Sequence, residues 1–329
     1  MANLITQFTA AKSRVEATEA DKANAASAHQ EVRAHLESDQ LLQAWGIDTV
    51  LIGSYKRHVA IRRVKDVDIL SKLPQIPADV DPRHLLEHLE GVLRGAYGQS
   101  LVEGQDRSVK VDFPQYGLAV DAVPARPHSG GIGYLEIPDR SGGWELTNPE
   151  YLTTLTTAMN ERYEEEYVPL VKFVRQARRY HLGDARPGGF YFEILCYHAA
   201  GRGLTGSSMA ELFTSSLRSI AGQLQDAVSG SPPADPTIPG AYIHTNATDA
   251  QLQAAAATYT SLASKAETAL GAELCESARG FRAILGKNGD SEWVLEMPAT
   301  CNEDGTAKSL HGLSKGDRTI PAGGDRRFA

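Results

Sequence analysis

A chain of 329 residues is longer than one hydrophobic core usually organises, so two packed lobes, or one lobe with a large appendage, are expected. Hydrophobic residues at 42% and charged residues at 22% are those of an ordinary globular protein. A formal net charge of -8 argues against a large nucleic-acid footprint, which is built on basic side chains, but leaves room for a local basic pocket holding one or two triphosphates.

From its start, Met1 to Asp21 lacks the basic opening and apolar run of a signal peptide. No stretch approaches the roughly 18 apolar residues of a membrane helix, so a cytoplasmic protein with no membrane partner is expected. Leu4 to Trp45, rich in Ala and Glu with few breakers, reads as helix. Thr49 to Ile52 reads as a strand that stops at Gly53-Ser54. The basic segment Lys56 to Arg63 leads to a second strand around Val67 to Leu70. Asp81 to Tyr97 carries Leu85, Leu86, Leu89, Val92 and Leu93 on one face and reads as an amphipathic helix. Two alternating runs, Ser108 to Phe113 and Leu118 to Val123, flank a hairpin turn at Tyr116-Gly117, and Tyr134 to Ile137 reads as a further strand.

From Asn148 the pattern becomes helical: Pro149 to Tyr163, Tyr167 to His181, Gly189 to Ala199, Ser208 to Val228 and Asp249 to Leu285, with a Pro-, Gly- and Ser-rich loop at Ser229 to Pro239. Lys315 to Ala329 has almost no apolar content and reads as a flexible tail. The fold class is therefore α+β, a mixed-sheet lobe followed by a helical lobe with a cleft between them. Cys196, Cys275 and Cys301 form no CxxC pair and no cluster with histidine. From that we expect a reducing compartment, no disulfide and no structural zinc. His58, His128, His181 and His198 are scattered and receive no catalytic role.

The chemistry concentrates in Gly53-Ser54-Tyr55 through Asp66-Val67-Asp68-Ile69. Residues two apart on a strand point the same way, so Asp66 and Asp68 share a face while Val67 and Ile69 turn to the core. Two neighbouring carboxylates repel each other, and a divalent cation between them removes that cost. Asp121 is the single acid in the apolar run Leu118 to Pro124, where burial is costly unless the carboxylate is paired or metal-bound. Three acids from two strands meet the needs of two-metal phosphoryl transfer. Asp112, next to the turn, reads as structural or exposed. A Gly-Ser turn leaves amides and a hydroxyl free for a triphosphate.

Together these segments resemble the DNA polymerase β-like nucleotidyltransferase superfamily. Gly53-Ser54-Tyr55-Lys56-Arg57, Asp66-Val67-Asp68-Ile69, Val120-Asp121-Ala122-Val123-Pro124-Ala125, Ile137-Pro138-Asp139-Arg140, Trp144 and Asn148-Pro149-Glu150 resemble the bacterial cGAS/DncV-like nucleotidyltransferases of the SMODS type. The resemblance implies a catalytic lobe with its N-terminal helix over 1–147, a helical nucleotide-binding lobe over 148–314 and a tail over 315–329. It further implies condensation of ribonucleoside triphosphates into a cyclic oligonucleotide for anti-phage signalling, with Mg2+ or Mn2+ as cofactor and no stable nucleic-acid partner.

In this reading Asp66, Asp68 and Asp121 are the catalytic, metal-holding residues, and Gly53, Ser54, Lys56, Lys172 and Phe190 contact substrate. Two departures stand out. Where the family often has a serine before the aromatic residue there is Gly189, and a family threonine is replaced by Val59. The tail ending at Ala329 is the place where an operon-encoded ubiquitin-ligase-like partner would act, beside an operon-encoded effector. The same chemistry on a linear oligoadenylate, tRNA, protein or small-molecule acceptor is the first alternative; a non-catalytic nucleotide sensor is the second.

Overall fold

The computed structural model describes residues 4–130 and 133–309. The tail 315–329, with Ala329, lies outside the described residues. Among them no helix is long and apolar enough to cross a membrane.

The first stretch is three helices rather than one: α1 (Ile5–Val15), α2 (Glu19–Ser38) and α3 (Gln40–Ala44). Thr18 divides the first two by starting a new helix. Its hydroxyl accepts from the Asp21 amide, and the Asp21 carboxylate accepts from the Thr18 amide. Asp39 likewise caps α3 by accepting from the amides of Leu41 and Leu42. Helix propensity is high throughout this stretch, and the capping side chains decide the breaks.

Strands β1 (Asp48–Ile52), β2 (Asp66–Lys72), β3 (Val102–Gly104), β4 (Val109–Phe113) and β5 (Leu118–Pro127) form a sheet in the order β1-β2-β5-β4-β3. β2 and β5 are parallel and the other neighbours antiparallel. The far end of β5 pairs with β6 (Leu135–Pro138), which pairs with β7 (Trp144–Thr147). The short β3 and β7 carry no alternating pattern long enough to mark them in the sequence. Between β1 and β2 lies the single turn α4 (Gly53–Lys56), and α5 (Pro82–Tyr97) connects β2 to β3.

One face of the sheet is closed by α2 and α5, whose Val32, Leu36, Leu85 and Leu89 pack on Val67, Ile69, Val111 and Val120. The opposite face has only a small apolar cluster of Ile52, Leu70 and Ala125. The acids of β2 and β5 stand on that second face, as strand alternation requires.

The remaining chain is helical: α6 (Pro149–Arg162), α7 (Tyr167–Leu182), α8 (Gly189–Arg202), α9 (Met209–Val228), α10 (Asp249–Gly271) and α11 (Leu274–Leu285). The expected single helix from Asp249 to Leu285 is two, broken at Ala272-Glu273, and they touch where Gly280 meets Ala269. Helix α1 belongs to this core despite its place in the chain: Phe8 packs edge-on against Phe173 at 5.7 Å and Phe281 at 5.3 Å.

Beyond α11 the chain returns toward α1 and the α4–β2 loop. Asn288 donates to the Arg14 carbonyl at 3.0 Å, and Asp290 pairs with Arg62 and Arg63. Cys275 and Cys301 are joined by a disulfide, which corrects the expectation of none. Their 26-residue separation has no recognisable spacing, and only the return of the chain onto α11 brings the sulfurs together. Cys196 is free and buried.

Candidate active site

The register of the parallel pair places Asp68 directly beside Asp121, with Asp66 beside Ala119. On the other side of β5, Lys110 lies opposite Asp121 and pairs with Asp112 at 3.0 Å. Asp112 is thus paired with a lysine from its own strand.

Burial, and then the neighbouring Asp66 and Asp121, push the Asp68 carboxyl up to about 7, against the pull of Arg57 and Arg175. Burial and Asp66 push Asp121 up to about 6, and Lys110 opposes them. One Asp121 oxygen, Oδ1, is enclosed without a hydrogen-bond partner. Buried carboxylate oxygens without donors are costly. A divalent ion beside them would remove both the repulsion and the unmet lone pairs, so the donor chemistry fits hard-cation binding. Among the described residues, however, no three His, Cys, Asp or Glu side chains are close enough to hold an ion between them. The acids are neighbours here, not a closed coordination shell.

Gly53 is folded against this group. Its φ of +72° is a left-handed conformation, and a Cβ there would lie 1.7 Å from Asp68 Oδ2. The Gly-Ser turn can therefore lie against the carboxylate only with glycine at its head. Ser54, the next residue, is buried at the cleft wall.

A cleft of about 940 Å³ opens over these residues, lined from the sheet lobe by Gly53, Ser54, Arg57, Asp66 and Asp68 and from the helical lobe by Arg175, Arg179 and Phe190. Its volume is at the upper end for small-molecule sites. The two walls are tied by Arg57, whose Nε donates to Glu193 Oε1 at 2.6 Å and Nη2 to Oε2 at 3.1 Å, both side chains almost fully buried. Arg175 also donates to Glu193, at 3.3 Å. Phe190, 45% exposed, turns its ring toward Arg57 with the guanidinium 5.9 Å from the centroid.

Of the residues singled out in the sequence, Gly53, Ser54, Asp66, Asp68 and Phe190 line the cleft, and Asp121 sits beside Asp68 in the sheet. Lys56 is exposed and outside the lining; its neighbour Arg57 is the cation on the wall. Lys172 is outside it too. Its ammonium is buried in an ion pair with Glu16, at the junction of α1 and α2, so the phosphate role expected for it has no geometric basis. One turn further along α7, Arg175 faces the cleft, and a Cβ on Gly189 would come within 3.2 Å of its Cζ. The glycine in place of the family serine leaves room for that larger cation. Val59, which replaces the family threonine, is fully buried in the helical core.

The site thus consists of a mixed sheet closed by helices on one face, with paired acids and a Gly-Ser turn on the other and a helical lobe across the cleft. Residues 3–160 match the family model of the Second Messenger Oligonucleotide or Dinucleotide Synthetase domain. Cyclic AMP-AMP-AMP synthase of an Acinetobacter strain is 31% identical over 199 residues, covering 57% of this chain and 56% of that protein. The chain spans about half the length of the curated relatives it matches. Two solved structures share the fold. Escherichia coli MS115-1 CdnC, in its HORMA-deltaN complex, has a TM-score of 0.66 at 17% identity, covering 86% of this chain and 96% of that one. Bradyrhizobium diazoefficiens CdnG in complex with GTP has a TM-score of 0.65 at 18% identity with the same coverage. Over residues 3–160 the chain is thus similar to the Second Messenger Oligonucleotide or Dinucleotide Synthetase domain, and its fold is shared with the solved CdnC and CdnG structures.

Proposed function

We propose that this protein is a metal-dependent nucleotidyltransferase that condenses ribonucleoside triphosphates into a cyclic oligonucleotide second messenger, acting in anti-phage defence. The observation that carries the reading is the side-by-side placement of Asp68 and Asp121, with Gly53 folded against the Asp68 carboxylate. The synthetase-domain match and the 31% identity to a cyclic AMP-AMP-AMP synthase support the product class.

Asp66, Asp68 and Asp121 would hold Mg2+ or Mn2+, which when bound supplies charge neutralisation at the phosphates and lowers the pKa of a ribose hydroxyl. Ser54 and the adjoining amides bind phosphate oxygens, and Arg175 takes the cationic place on the triphosphate. Phe190 stacks on the base of that nucleotide. Asp121 accepts the proton of the attacking hydroxyl, whose oxygen bonds to the α-phosphorus as pyrophosphate leaves. The Arg57–Glu193 pair holds the two walls in register, so that catalysis is mainly positioning and charge stabilisation.

The test is incubation of the full chain with the four labelled ribonucleoside triphosphates and Mg2+ or Mn2+, then phosphatase treatment and chromatography. A phosphatase-resistant product that vanishes in the Asp66→Asn/Asp68→Asn variant is the expected result. Product at the parent level from that variant would sink the assignment. Binding of triphosphates without any product, in every metal tried, would favour the sensor alternative.

A further inference from the structure

Asp66 and Asp68 are fixed in unequal ways. Asp68 has strand partners on both sides, Ile52 of β1 and Asp121 of β5. Asp66 opens β2 beyond the end of β1 and has only Ala119 of β5 beside it. Its place therefore depends on the loop that enters β2, and that loop is held at Arg62, outside the cleft lining.

The backbone and the guanidinium of Arg62 are all engaged. Its amide donates to the Val15 carbonyl at 2.8 Å, and its carbonyl accepts from Arg179 of α7 at 2.6 Å. Its Nε donates to the Glu16 carbonyl at 3.3 Å and its Nη2 to the Ser13 carbonyl at 3.0 Å. Its Nη1 donates to Asp290 at 3.3 Å and to Glu292 at 3.4 Å. One residue thus joins the α1–α2 junction, α7 and the chain beyond α11 to the entrance of β2. A planar fork of five donors can serve so many partners; a lysine ammonium, with three, cannot.

Arg63 continues the clasp. Its φ of +59° is left-handed, a conformation that a residue other than glycine keeps only where its surroundings enforce it. Its amide donates to Asp21 at 3.2 Å, its Nε donates to Asp290, and a Cβ on Gly289 would come within 2.5 Å of its Cγ. Asp290 is aimed by a turn in which Asn288 Oδ1 accepts from the amides of Asp290 and Glu292. Val64 is then buried in the sheet core, and the Lys65 carbonyl accepts from the Ala119 amide at 2.8 Å. Little slack is left between the clasp and Asp66.

We propose that Arg62 is the positioning residue of Asp66: it touches neither substrate nor metal, and it fixes where the first metal-holding carboxylate stands. The inference rests on the nucleotidyltransferase reading given above.

Titration of the full chain with Mn2+ alone, followed by electron paramagnetic resonance, reads the site without turnover. Arg62→Ala should weaken Mn2+ binding about tenfold, a loss common for groups that orient a metal ligand. In the Asp66→Asn background the same substitution should change nothing further, because its effect passes through Asp66. Arg62→Lys keeps the charge opposite Asp290 but not the fork, and should fall between the parent and the alanine variant. Asp290→Asn leaves the loop sequence intact, should weaken binding in the same direction, and carries the test if Arg62→Ala does not fold. Arg14→Ala is the control for general loosening. It frees the chain beyond α11 at the Trp293 carbonyl and at Glu296, away from the loop, and should bind Mn2+ at the parent Kd. In the product assay Arg62→Ala should lower kcat about tenfold and leave KM for triphosphate within about twofold. Parent-like Mn2+ affinity in the loop variants, losses that add in the double variant, or an equal loss in Arg14→Ala would overturn the inference and leave the nucleotidyltransferase reading standing. Parent Mn2+ binding that Asp66→Asn does not weaken would overturn the metal assignment together with it.

Discussion

Asp68 and Asp121 are direct neighbours across the parallel strands β2 and β5, and their carboxyls are raised to about 7 and about 6 from an ordinary value of 3.8. A carboxyl whose folded pKa exceeds its unfolded pKa binds more protons in the folded state. Its contribution to stability is then fully present below the unfolded value and is lost as pH rises through the folded one. For these two groups the loss spans about pH 4 to 7. Without metal, Asp68→Asn should therefore stabilise the protein at pH 8 relative to pH 5, by on the order of 1–2 kcal/mol. Denaturant unfolding in a chelator at the two pH values measures this. Millimolar Mg2+ should reduce the advantage, because the parent alone regains a full ligand set. An equal variant-to-parent difference at both pH values would refute the account.

Gly53→Ala joins two faults at one position. It places a side chain at a φ of +72° and drives a Cβ into the Asp68 carboxylate. The strain costs about 1–3 kcal/mol. The larger effect should be on function, a loss of at least a hundredfold in product formation, since a displacement of about 1 Å in a reacting group is enough for that. Gly117→Ala supplies the comparison: its φ is +65°, but the space around it is open. That variant should lose similar backbone energy and keep its activity. Equal activity in the two variants would show that the Gly53–Asp68 contact has no functional weight.

The cations of α7 should separate cleanly. Arg175→Ala should raise the KM for triphosphate, by tenfold or more, with a small change in melting temperature, since charge-assisted hydrogen bonds are worth about 1.5–3 kcal/mol. Lys172→Ala leaves the Glu16 carboxylate without its partner and empties a buried position. It should lower stability by about 1–3 kcal/mol and leave KM within twofold. The reverse pattern, with Lys172 governing KM, would restore the phosphate role that the sequence suggested for it.

The contrast between these two residues marks how far the sequence could be read. Strand alternation has a period of two, so Asp66, Asp68 and the apolar residues between them declare their faces locally. The lone acid in Leu118 to Pro124 does the same for Asp121. Which turn of α7 meets the cleft is not local information. Glu16, 156 residues away, claims Lys172, and this happens only because α1 packs into the helical lobe. Arg57 stood in the segment on which the family resemblance rests, but its partner Glu193 lies 136 residues on. The helix breaks at Thr18 and at Ala272-Glu273 failed for another reason: the residues around them are good helix formers, and caps and packing override propensity there.

The Cys275–Cys301 disulfide closes the segment that carries Asn288 and Asp290 onto Arg14, Arg62 and Arg63. A cross-link spanning 26 residues restrains the unfolded chain by about 3.5 kcal/mol on the chain-entropy account. Cys301→Ser should lose about that much stability in denaturant unfolding under non-reducing conditions. Reductant should bring the parent down to the variant and leave the variant unchanged. Cys196 is buried and outside the bond, so Cys196→Ala should keep the response to reductant. The segment pins the loop that leads into Asp66 and Asp68, so the reduced protein should also lose protection from hydrogen exchange at Arg62 and Arg63 before the sheet itself opens. Parent stability and exchange that do not respond to reductant would mean that the bond adds nothing to the folded state.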